Sequence, residues 1–377
     1  MRTRVRGVVQ GASSGRADLS DIVKAIQKQH GATTIKVAST MRQPIRLSTG
    51  IFTLDLALCG GLFMNCINEF LGARSSGKTT ALLKAIASAQ RQYPDLTPAL
   101  VDAEHTFDPV WAGKLGVDLE HLIVTQPSTG EEAVDQVQGL MSHAGISMVA
   151  LDSVAALVPM KEVDAATEDA HVGIHAKLVT RLVRKANTAI SEASKAGRPM
   201  MLLVTNQQRA GIGKWAPPGQ EAISNPGGKA LEHYTALQVK FKNKENLKKD
   251  DDGFDMLDVN EHAFSVDKNK FNAGIRKGEY LLRRTDDDAL GLSEGDVDDA
   301  ESMLGFAKKM GIYTGGGSSW TLELPEYSET MRGRDAWVEH LYANRDIHQQ
   351  LRNHLIALHA VKLGMPQYFV DAIYEQA

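Results

Sequence analysis

Short apolar runs alternate with amphipathic stretches between about residue 34 and residue 242. The runs are CINEFLG, PALVDAE, LIVTQP, SMVALDS, PMMLLVTNQ and ALQVKFK, and segments such as KTTALLKAIASAQRQ and AKLVTRLVRKANTAISEAS lie between them. Short apolar runs are typical of buried strands, and apolar residues three and four apart are typical of helices. The alternation therefore predicts an α/β fold, with a mostly parallel sheet covered by helices on both faces.

Both ends of the chain differ from this alternating region. Residues 1–18 are rich in arginine, glycine and serine, and we expect a flexible tail there. The segment DLSDIVKAIQKQHG predicts an N-terminal helix, which opens a segment at 19–50 that also includes a connecting strand. An acidic run, DDDALGLSEGDVDD, separates residues 51–285 from residues 286–377, which are predicted to form a small α/β domain.

The composition is that of an ordinary globular protein. Of the 377 residues, 43% are hydrophobic and 23% are charged. The two cysteines, Cys59 and Cys66, are too few for a disulfide framework or a four-cysteine zinc site. No apolar run suits a signal peptide or a membrane span, so we expect a cytoplasmic protein. Because the net charge is only −4, nucleic-acid binding would depend on local basic patches.

The segment GARSSGKTT has the spacing of a phosphate-binding loop between a predicted strand and a predicted helix. Its glycines let successive N–H groups face a phosphate chain, and the start of the helix adds a positive dipole end. A lysine at the seventh position reaches the β- and γ-phosphates, and the next hydroxyl is placed to bind Mg²⁺. The predicted ATP-binding residues of this segment are Gly72, Ser75, Ser76, Gly77, Lys78, Thr79 and Thr80.

Two acidic residues follow neighbouring predicted strands. Asp152 ends SMVALDS and is expected to organise Mg²⁺ together with Thr79. Glu104, in LVDAEHTFDP, is placed either to activate the attacking water or to cap a helix at the protein surface. The residues alone leave both interpretations of Glu104 open.

These segments, together with TNQ and KNK further along the chain, resemble the bacterial RecA recombinases. The resemblance runs in order from about residue 19 to at least residue 358, and includes LSTGIFTLDLALCGGLFMN before the phosphate loop and GIYTGGGSSW and GRDAW near the end. It implies a P-loop ATPase core with DNA-binding loops at 51–285, with the N-terminal helix and the C-terminal domain attached to it.

The resemblance also implies roles in ATP hydrolysis. Glu104 matches the water-activating glutamate, Asp152 the aspartate that organises Mg²⁺, and Gln207 the glutamine that senses the γ-phosphate. Asp108 and Trp111 match the adenine side of the site. Trp111 stands where the family usually has tyrosine, and either ring can stack on a purine, although a simple core tryptophan remains an alternative.

Lys268 and Lys270 resemble the lysine pair that reaches the ATP of a neighbouring subunit. Positive charge supplied in this way stabilises the transferring phosphoryl group and makes hydrolysis depend on assembly. The spacing alone would indicate two solvated lysines, so the catalytic role rests on the resemblance.

The resemblance also implies DNA contact from two loops and from the helix that follows the first of them. Lys177, Thr180, Arg181 and Arg184 share one helix face, for which a solvated basic surface is the alternative. The second loop, at 208–228, is rich in glycine and proline and longer than most connections in compact domains. The predicted DNA-binding residues are Val172, Gly173, Lys177, Thr180, Arg184, Arg209, Ile212, Gly213, Lys214, Gly227 and Gly228.

Further positions depart from the family pattern, among them Arg74, Glu232 and His233. Arg74 lies inside the phosphate loop, where the family usually has an acidic residue. Glu232 and His233 replace a basic–aromatic pair near the expected subunit interface. These departures indicate a divergent member, for which a phage origin is one interpretation.

The predicted function is that of a DNA-dependent ATPase with ATP and Mg²⁺ as cofactors. It would form a head-to-tail helical filament on single-stranded DNA, with the helix at 19–29 docked on the next subunit, and exchange strands with double-stranded DNA. A ring-shaped helicase motor and a DNA-binding ATP switch without strand exchange are the alternatives.

Overall fold

The computed structural model of the chain describes residues 19–31, 35, 37–160, 171–210, 223–224, 226–244, 248–249, 255–256, 258–271 and 274–374. The chain divides into two compact units between Gln43 and Pro44. Other segments, among them most of the two predicted DNA-binding loops, lie outside the described residues. Ile212, Gly213 and Lys214 belong to these segments.

The described part of the first unit contains a helix, α1 (Leu19–His30), and a 3-10 turn at Ala38–Thr40. The N–H of Gly31 donates to the carbonyl of Gln27 at 2.8 Å and closes the last turn of the helix. Gly31 has φ +95°, a conformation that glycine adopts without a steric penalty. The helix lies where the apolar periodicity predicted it.

The second unit alternates between helices and strands. Its described helices are α2 (Phe52–Leu58), α3 (Lys78–Gln92), α4 (Pro109–Lys114), α5 (Gly130–Ser142), α6 (His171–Lys195), α7 (Gly228–Tyr234), α8 (Ala300–Met310), α9 (Arg334–Ala343), α10 (Arg345–Lys362) and α11 (Gln367–Tyr374). Its described strands are β1 (Arg46–Leu47), β2 (Leu62–Phe63), β3 (Ile67–Gly72), β4 (Thr97–Asp102), β5 (Ile123–Thr125), β6 (Ile146–Asp152), β7 (Met201–Gln207), β8 (Arg209–Ala210), β9 (Ile223–Ser224), β10 (Leu237–Lys244), β11 (Lys248–Lys249), β12 (Asp255–Met256), β13 (Val259–Asn269), β14 (Lys277–Arg283), β15 (Val297–Asp298), β16 (Tyr313–Gly316), β17 (Ser319–Leu324) and β18 (Tyr327–Arg332).

A nine-stranded sheet, counted over the described residues, forms the centre of this unit. Its strand order is β15-β14-β13-β10-β3-β7-β6-β4-β5. All pairings from β10 to β5 are parallel, and the pairings among β10, β13, β14 and β15 are antiparallel. The prediction of a mostly parallel sheet is therefore confirmed.

Side chains of the parallel strands alternate between two apolar clusters on opposite faces of the sheet. On β7, Met201 and Leu203 join the cluster that includes α3, whereas Leu202 and Val204 join the cluster that includes α5 and α6. Because each strand is buried on both faces, its sequence is a continuous apolar run rather than an alternating one. The helices cover both faces, as the sequence pattern predicted.

A third apolar cluster joins the C-terminal elements to α2. A three-stranded antiparallel sheet, β16-β17-β18, packs with α8 to α11 around Trp337, which is fully buried and donates its indole N–H to the carbonyl of Trp320 at 3.1 Å. Phe52 and Leu56 of α2 belong to the same cluster. The predicted small α/β module is present, and the predicted boundaries at 50/51 and 285/286 stay predictions.

Candidate active site

The carboxyl ends of four parallel strands bring together the predicted ATP-binding and hydrolytic residues. The phosphate loop follows β3, Glu104 follows β4, Asp152 ends β6 and Gln207 ends β7. In the sheet, Gly72 is paired with Gln207, and Asp102 is paired with Asp152. Ligands of open α/β sheets bind at this edge, so the strand register itself positions the site.

Two glycines of the phosphate loop lie where a side chain would not fit. A methyl group at Gly72 would come 2.7 Å from the carbonyl oxygen of Phe241, and one at Gly77 would come 2.7 Å from the ring of His262. Gly77 also has φ +93° and immediately precedes α3. The backbone can therefore take the tight path of a phosphate loop only with glycine at these positions.

Lys78 begins α3 and is almost completely buried. Its ammonium group donates to the carbonyl of Ala73 at 2.7 Å. Burial lowers the pKa of Lys78, and the nearby carboxylates of Asp152 and Glu104 oppose that effect. A cavity of about 180 Å³ lies beside the loop, and its lining residues are Ser75, Ser76, Gly77, Lys78, Thr79, Thr80, Asn260, His262, Leu282 and Arg284.

Asp152 connects α3 and strand β7 through two hydrogen bonds. One carboxylate oxygen accepts from the Thr79 hydroxyl at 2.6 Å, and the other accepts from the Thr205 hydroxyl at 2.5 Å. Asp152 is 6% exposed, and burial raises its pKa although both hydroxyl donors stabilise the ionised form. A hydroxyl held by a buried aspartate at the first turn of this helix is a donor set that suits Mg²⁺.

Glu104 is half-buried and contacts the ends of two strands. Its Oε1 accepts from the Ser153 hydroxyl at 2.6 Å and from the Gln207 amide at 3.1 Å. It does not cap a helix, because α4 begins at Pro109 and Asp108 is its N-cap. The structure therefore removes the helix-cap interpretation of Glu104.

Asp108 and Trp111 lie together at the start of α4. Asp108 Oδ1 accepts the N–H groups of Val110 at 2.8 Å and Trp111 at 3.2 Å. The Trp111 ring is partly buried against the first apolar cluster, and the guanidinium of Arg284 lies 4.4 Å from its centroid. Asp108, Trp111 and Arg284 line a second cavity of about 280 Å³. Arg284 also lines the phosphate-loop cavity, so it borders both spaces.

Sequence reasoning missed four residues of the site: His262, Arg284, Thr205 and Ser153. His262 is buried against Gly77 and stacks on Tyr280 with ring centroids 5.0 Å apart. The alternating pattern of NEHAFSV places His262 on the same face as two buried apolar residues, which is a signal for its burial. Nothing in the local sequence marks Arg284 or Thr205.

Lys268 and Lys270 contact the end of α7 within the same chain. The ammonium of Lys268 donates to the carbonyl of Glu232, and that of Lys270 donates to the carbonyl of His233 at 3.3 Å. Neither lysine lines the phosphate-loop cavity. The structure of one chain therefore does not bring them to its own phosphate loop, and the departures at Glu232 and His233 lie beside them. Arg74 is exposed at the tip of the loop.

The predicted DNA-binding residues that the structure describes lie on α6, in β8 and at or just before the start of α7. Lys177 and Arg184 are exposed, whereas Thr180 donates its hydroxyl to a backbone carbonyl of its own helix at 2.7 Å. Arg181 lies 3.4 Å from Asp135. α6 thus presents a basic face to solvent, which both interpretations of this helix require. Gly173 is also exposed on α6.

Gly227 and Gly228 have φ of +96° and +66° and precede or begin α7. Gly227 is buried, and a methyl group there would come 3.2 Å from Val179. Their conformations give both glycines a structural role. Of Val172 and Arg209, the structure describes only the backbone, in α6 and β8.

Comparison with known proteins identifies the family. The RecA N-terminal domain family matches residues 17–283. The chain belongs to the RecA family. Protein RecA of Leifsonia xyli subsp. xyli is 34% identical over 344 residues, which cover 90% of this chain and 88% of the relative. Protein RecA of Bacillus subtilis is 34% identical over 353 residues, covering 91% and 93%, and that of a Nostoc species is 32% identical over 336 residues, covering 89% and 87%.

Membership of the RecA family confirms the predicted family and the predicted role in DNA recombination and repair. Across the described residues, no helix is both long and apolar enough to cross a membrane.

Proposed function

We propose that this RecA-family protein is a cytoplasmic DNA-dependent ATPase that forms a helical filament on single-stranded DNA and exchanges strands with homologous duplex. The observation that carries the proposal is the convergence of the phosphate loop, Asp152, Glu104 and Gln207 at one edge of the sheet. Phosphate binding, Mg²⁺ organisation and activation of water need groups of these types within one site.

The phosphate loop, Lys78 and the N-terminus of α3 would hold the phosphates of ATP. Thr79 and Asp152 would hold Mg²⁺, whose charge offsets the negative charge that develops on the phosphates during hydrolysis. Two observations support binding of ATP and Mg²⁺ by these residues. The glycines leave the loop backbone open, and a hydrogen bond of 2.6 Å orients the Thr79 hydroxyl. Trp111 and Asp108 would contact the adenine, with the Trp111 ring stacked on the base.

Glu104 would orient the attacking water and accept its proton. Its carboxylate already accepts two hydrogen bonds, and the donors, Ser153 and Gln207, both come from strand ends at the site. These donors would hold the carboxylate in one orientation, which a general base requires. Gln207 would exchange its bond with Glu104 for a bond to the γ-phosphate and report the nucleotide state.

A change at Gln207 has a direct route to the second DNA-binding loop. The neighbouring residue, Asn206, donates its amide to the carbonyl of Pro226 at 2.9 Å and to Oε1 of Glu69 at 3.0 Å. Gln238 donates to the other oxygen of Glu69 at 2.7 Å. Both ends of the loop would therefore move with the strand that carries the γ-phosphate sensor.

Assembly would depend on α1 and on the two lysines at the end of β13. Leu19 and Ile22 of α1 are 63% and 43% exposed, and their spacing of three residues places them on one face of the helix. They would dock on the next subunit, and Lys268 and Lys270 would leave the end of α7 to reach that neighbour's ATP. A head-to-tail contact of this kind builds a filament when the rotation does not close.

Negative-stain electron microscopy with single-stranded DNA and a slowly hydrolysed ATP analogue tests this proposal. We expect extended striated filaments that require the nucleotide. Closed rings would favour the helicase motor instead. Unassembled protein beside the DNA would favour the ATP switch without strand exchange, and either result would remove the docking role of α1.

A further inference from the structure

A cavity of about 630 Å³ lies on the side of α3 that faces the C-terminal elements. It is lined by side chains of α3, of the segment around β15 and of α10, and none of its lining residues lines the phosphate-loop cavity. Its volume falls in the range of small-molecule binding sites. The proposed recombinase function makes no use of it.

The buried end of this cavity has two polar groups without partners. Lys84 is 9% exposed, and its ammonium has no hydrogen bond or ion pair with any residue that the structure describes. Asn353 is 3% exposed, and its Nδ2 is buried without an acceptor among those residues. Buried polar groups are normally hydrogen-bonded, so the Asn353 amide requires an explanation. The Lys84 ammonium reaches the cavity from a mostly buried side chain and has no counter-ion among the described residues in direct contact with it.

The mouth of the cavity carries two more cations without a carboxylate partner. Arg91 donates to the hydroxyl of Ser88 at 3.0 Å, and Arg345 approaches the carbonyl of Gly291 at 3.5 Å. Within the described part of the chain, no carboxylate oxygen lies within 4.0 Å of either guanidinium. Both side chains are exposed at the cavity entrance, and the Arg345 guanidinium also lies 5.8 Å from the Tyr342 ring centroid. Neither contact neutralises the charge, so both cations can turn toward a bound anion.

The carboxylates of the cavity already have donors. Asp299 lies 2.8 Å from Nε2 of His348, and Asp296 accepts the N–H of Ser293 at 2.9 Å. Arg352, a further cation of the lining, is paired with the fully buried Asp55. Apart from the Arg352–Asp55 pair, the lining carries three cations, Lys84, Arg91 and Arg345, against two carboxylates, Asp296 and Asp299. Cations are therefore in excess, and with the Asn353 amide donor they suit an anion.

We propose that this cavity binds the phosphate chain of a small oligophosphate, such as a nucleotide, at a site separate from the phosphate loop. Ammonium and guanidinium groups form charge-assisted hydrogen bonds with phosphate oxygens, and an amide N–H₂ adds neutral donors. Lys84 and Asn353 hold the inner phosphate, and Arg91 and Arg345 hold the outer one from the entrance.

Calorimetric titration of the full-length protein with inorganic tripolyphosphate tests the site. We expect the wild type to bind two equivalents and Lys84→Met to bind one, with the second affinity reduced at least tenfold. Lys78→Met, altered at the phosphate loop, should keep the equivalent that Lys84→Met loses. The two sites are thereby distinguished, so a failure of the nucleotide site cannot be mistaken for a failure of this one.

Lys362→Met is the matched control, because Lys362 is an exposed lysine of α10 outside the cavity. It should bind two equivalents. Lys84→Arg keeps the charge and should retain the second equivalent; loss in this variant as well would indicate a packing role and overturn the proposal.

Two other results would also overturn it. The first is a wild type that binds tripolyphosphate only at the phosphate loop. The second is a Lys84→Met variant with unchanged tripolyphosphate binding but at least tenfold weaker binding of a single-stranded oligonucleotide, which would assign the cavity to DNA phosphates.

Discussion

The side-chain amide of Gln207 donates a hydrogen bond of 3.1 Å to Oε1 of Glu104. These residues end or follow different strands, β7 and β4, and are 103 positions apart in the chain. In the proposed mechanism one is the general base and the other is the γ-phosphate sensor. Their direct contact means that the position of the base and the state of the sensor cannot change independently.

Glu104→Gln should bind ATP and DNA but hydrolyse ATP roughly 100- to 10,000-fold more slowly, because an amide cannot accept the proton of the attacking water. The measurement is steady-state ATP turnover with saturating single-stranded DNA, with nucleotide binding measured separately. Glu120→Gln is the control, since Glu120 is exposed beyond α4. Turnover near the wild-type rate would remove Glu104 from the base role.

Gln207→Ala should remove the dependence of DNA affinity on ATP binding. Without the amide, Glu104 loses one donor and the γ-phosphate loses its contact with the strand that continues toward the second loop. We expect the increase in DNA affinity caused by an ATP analogue to disappear, while the affinity without nucleotide stays the same. Fluorescence anisotropy of a labelled oligonucleotide measures both, and Gln138→Ala on the exposed side of α5 is the control. A retained increase would contradict the sensor role.

Lys270→Ala should abolish DNA-stimulated hydrolysis without unfolding the protein, because Lys270 is exposed and its contact in the chain is one backbone carbonyl. Mixing this variant with Glu104→Gln gives a sharp test. In a random equimolar filament about a quarter of the interfaces combine an intact Glu104 with an intact Lys270 from the neighbour. Turnover should therefore recover to about a quarter of the wild-type rate.

A lysine that acted within its own subunit would predict no recovery, since every site in the mixed filament would lack one of the two groups. Lys242→Ala serves as the control for removal of a surface cation, because Lys242 is exposed on β10, the strand that pairs with β13.

Lys84 should make stability depend on pH in the alkaline range. Burial lowers its pKa to about 8 against the opposing effect of Asp296 and Asp299, with Arg91 adding to the decrease. The other ionisable side chains of the cavity are His348, Arg345 and Arg352. The unfolded chain then binds more protons than the folded chain between about pH 8 and 10.5, so the free energy of unfolding rises with pH in that window.

Relative to Lys84→Met, the wild type should gain up to about 2 kcal/mol between pH 8 and pH 9.5, at about 1.36 kcal/mol for each pH unit. Urea unfolding of both proteins at the two pH values measures the difference. Equal pH dependence in the two proteins would contradict the lowered pKa of the Lys84 ammonium.

The strand and helix pattern, the phosphate loop and the acids at the strand ends could be predicted from the sequence. Each of them depends on local periodicity, or on residue types at fixed spacing within one strand–loop–helix unit. Even the meeting of Glu104, Asp152 and Gln207 follows from local information, because parallel strands place their carboxyl ends at one edge. The roles of these residues and of Lys268 and Lys270 came from family resemblance, and they remain proposals.

Only the tertiary structure decided which residues complete the site. His262 lies against Gly77 because the antiparallel strand β13 is paired with β10, and Arg284 reaches Trp111 because β14 ends beside α4. Thr205 binds Asp152 through the register of β6 and β7. Such contacts join residues far apart in sequence, and strand order and register set them. A shift of one residue would turn His262 and Thr205 to the opposite face of the sheet, and no local sequence pattern predicts strand order or register.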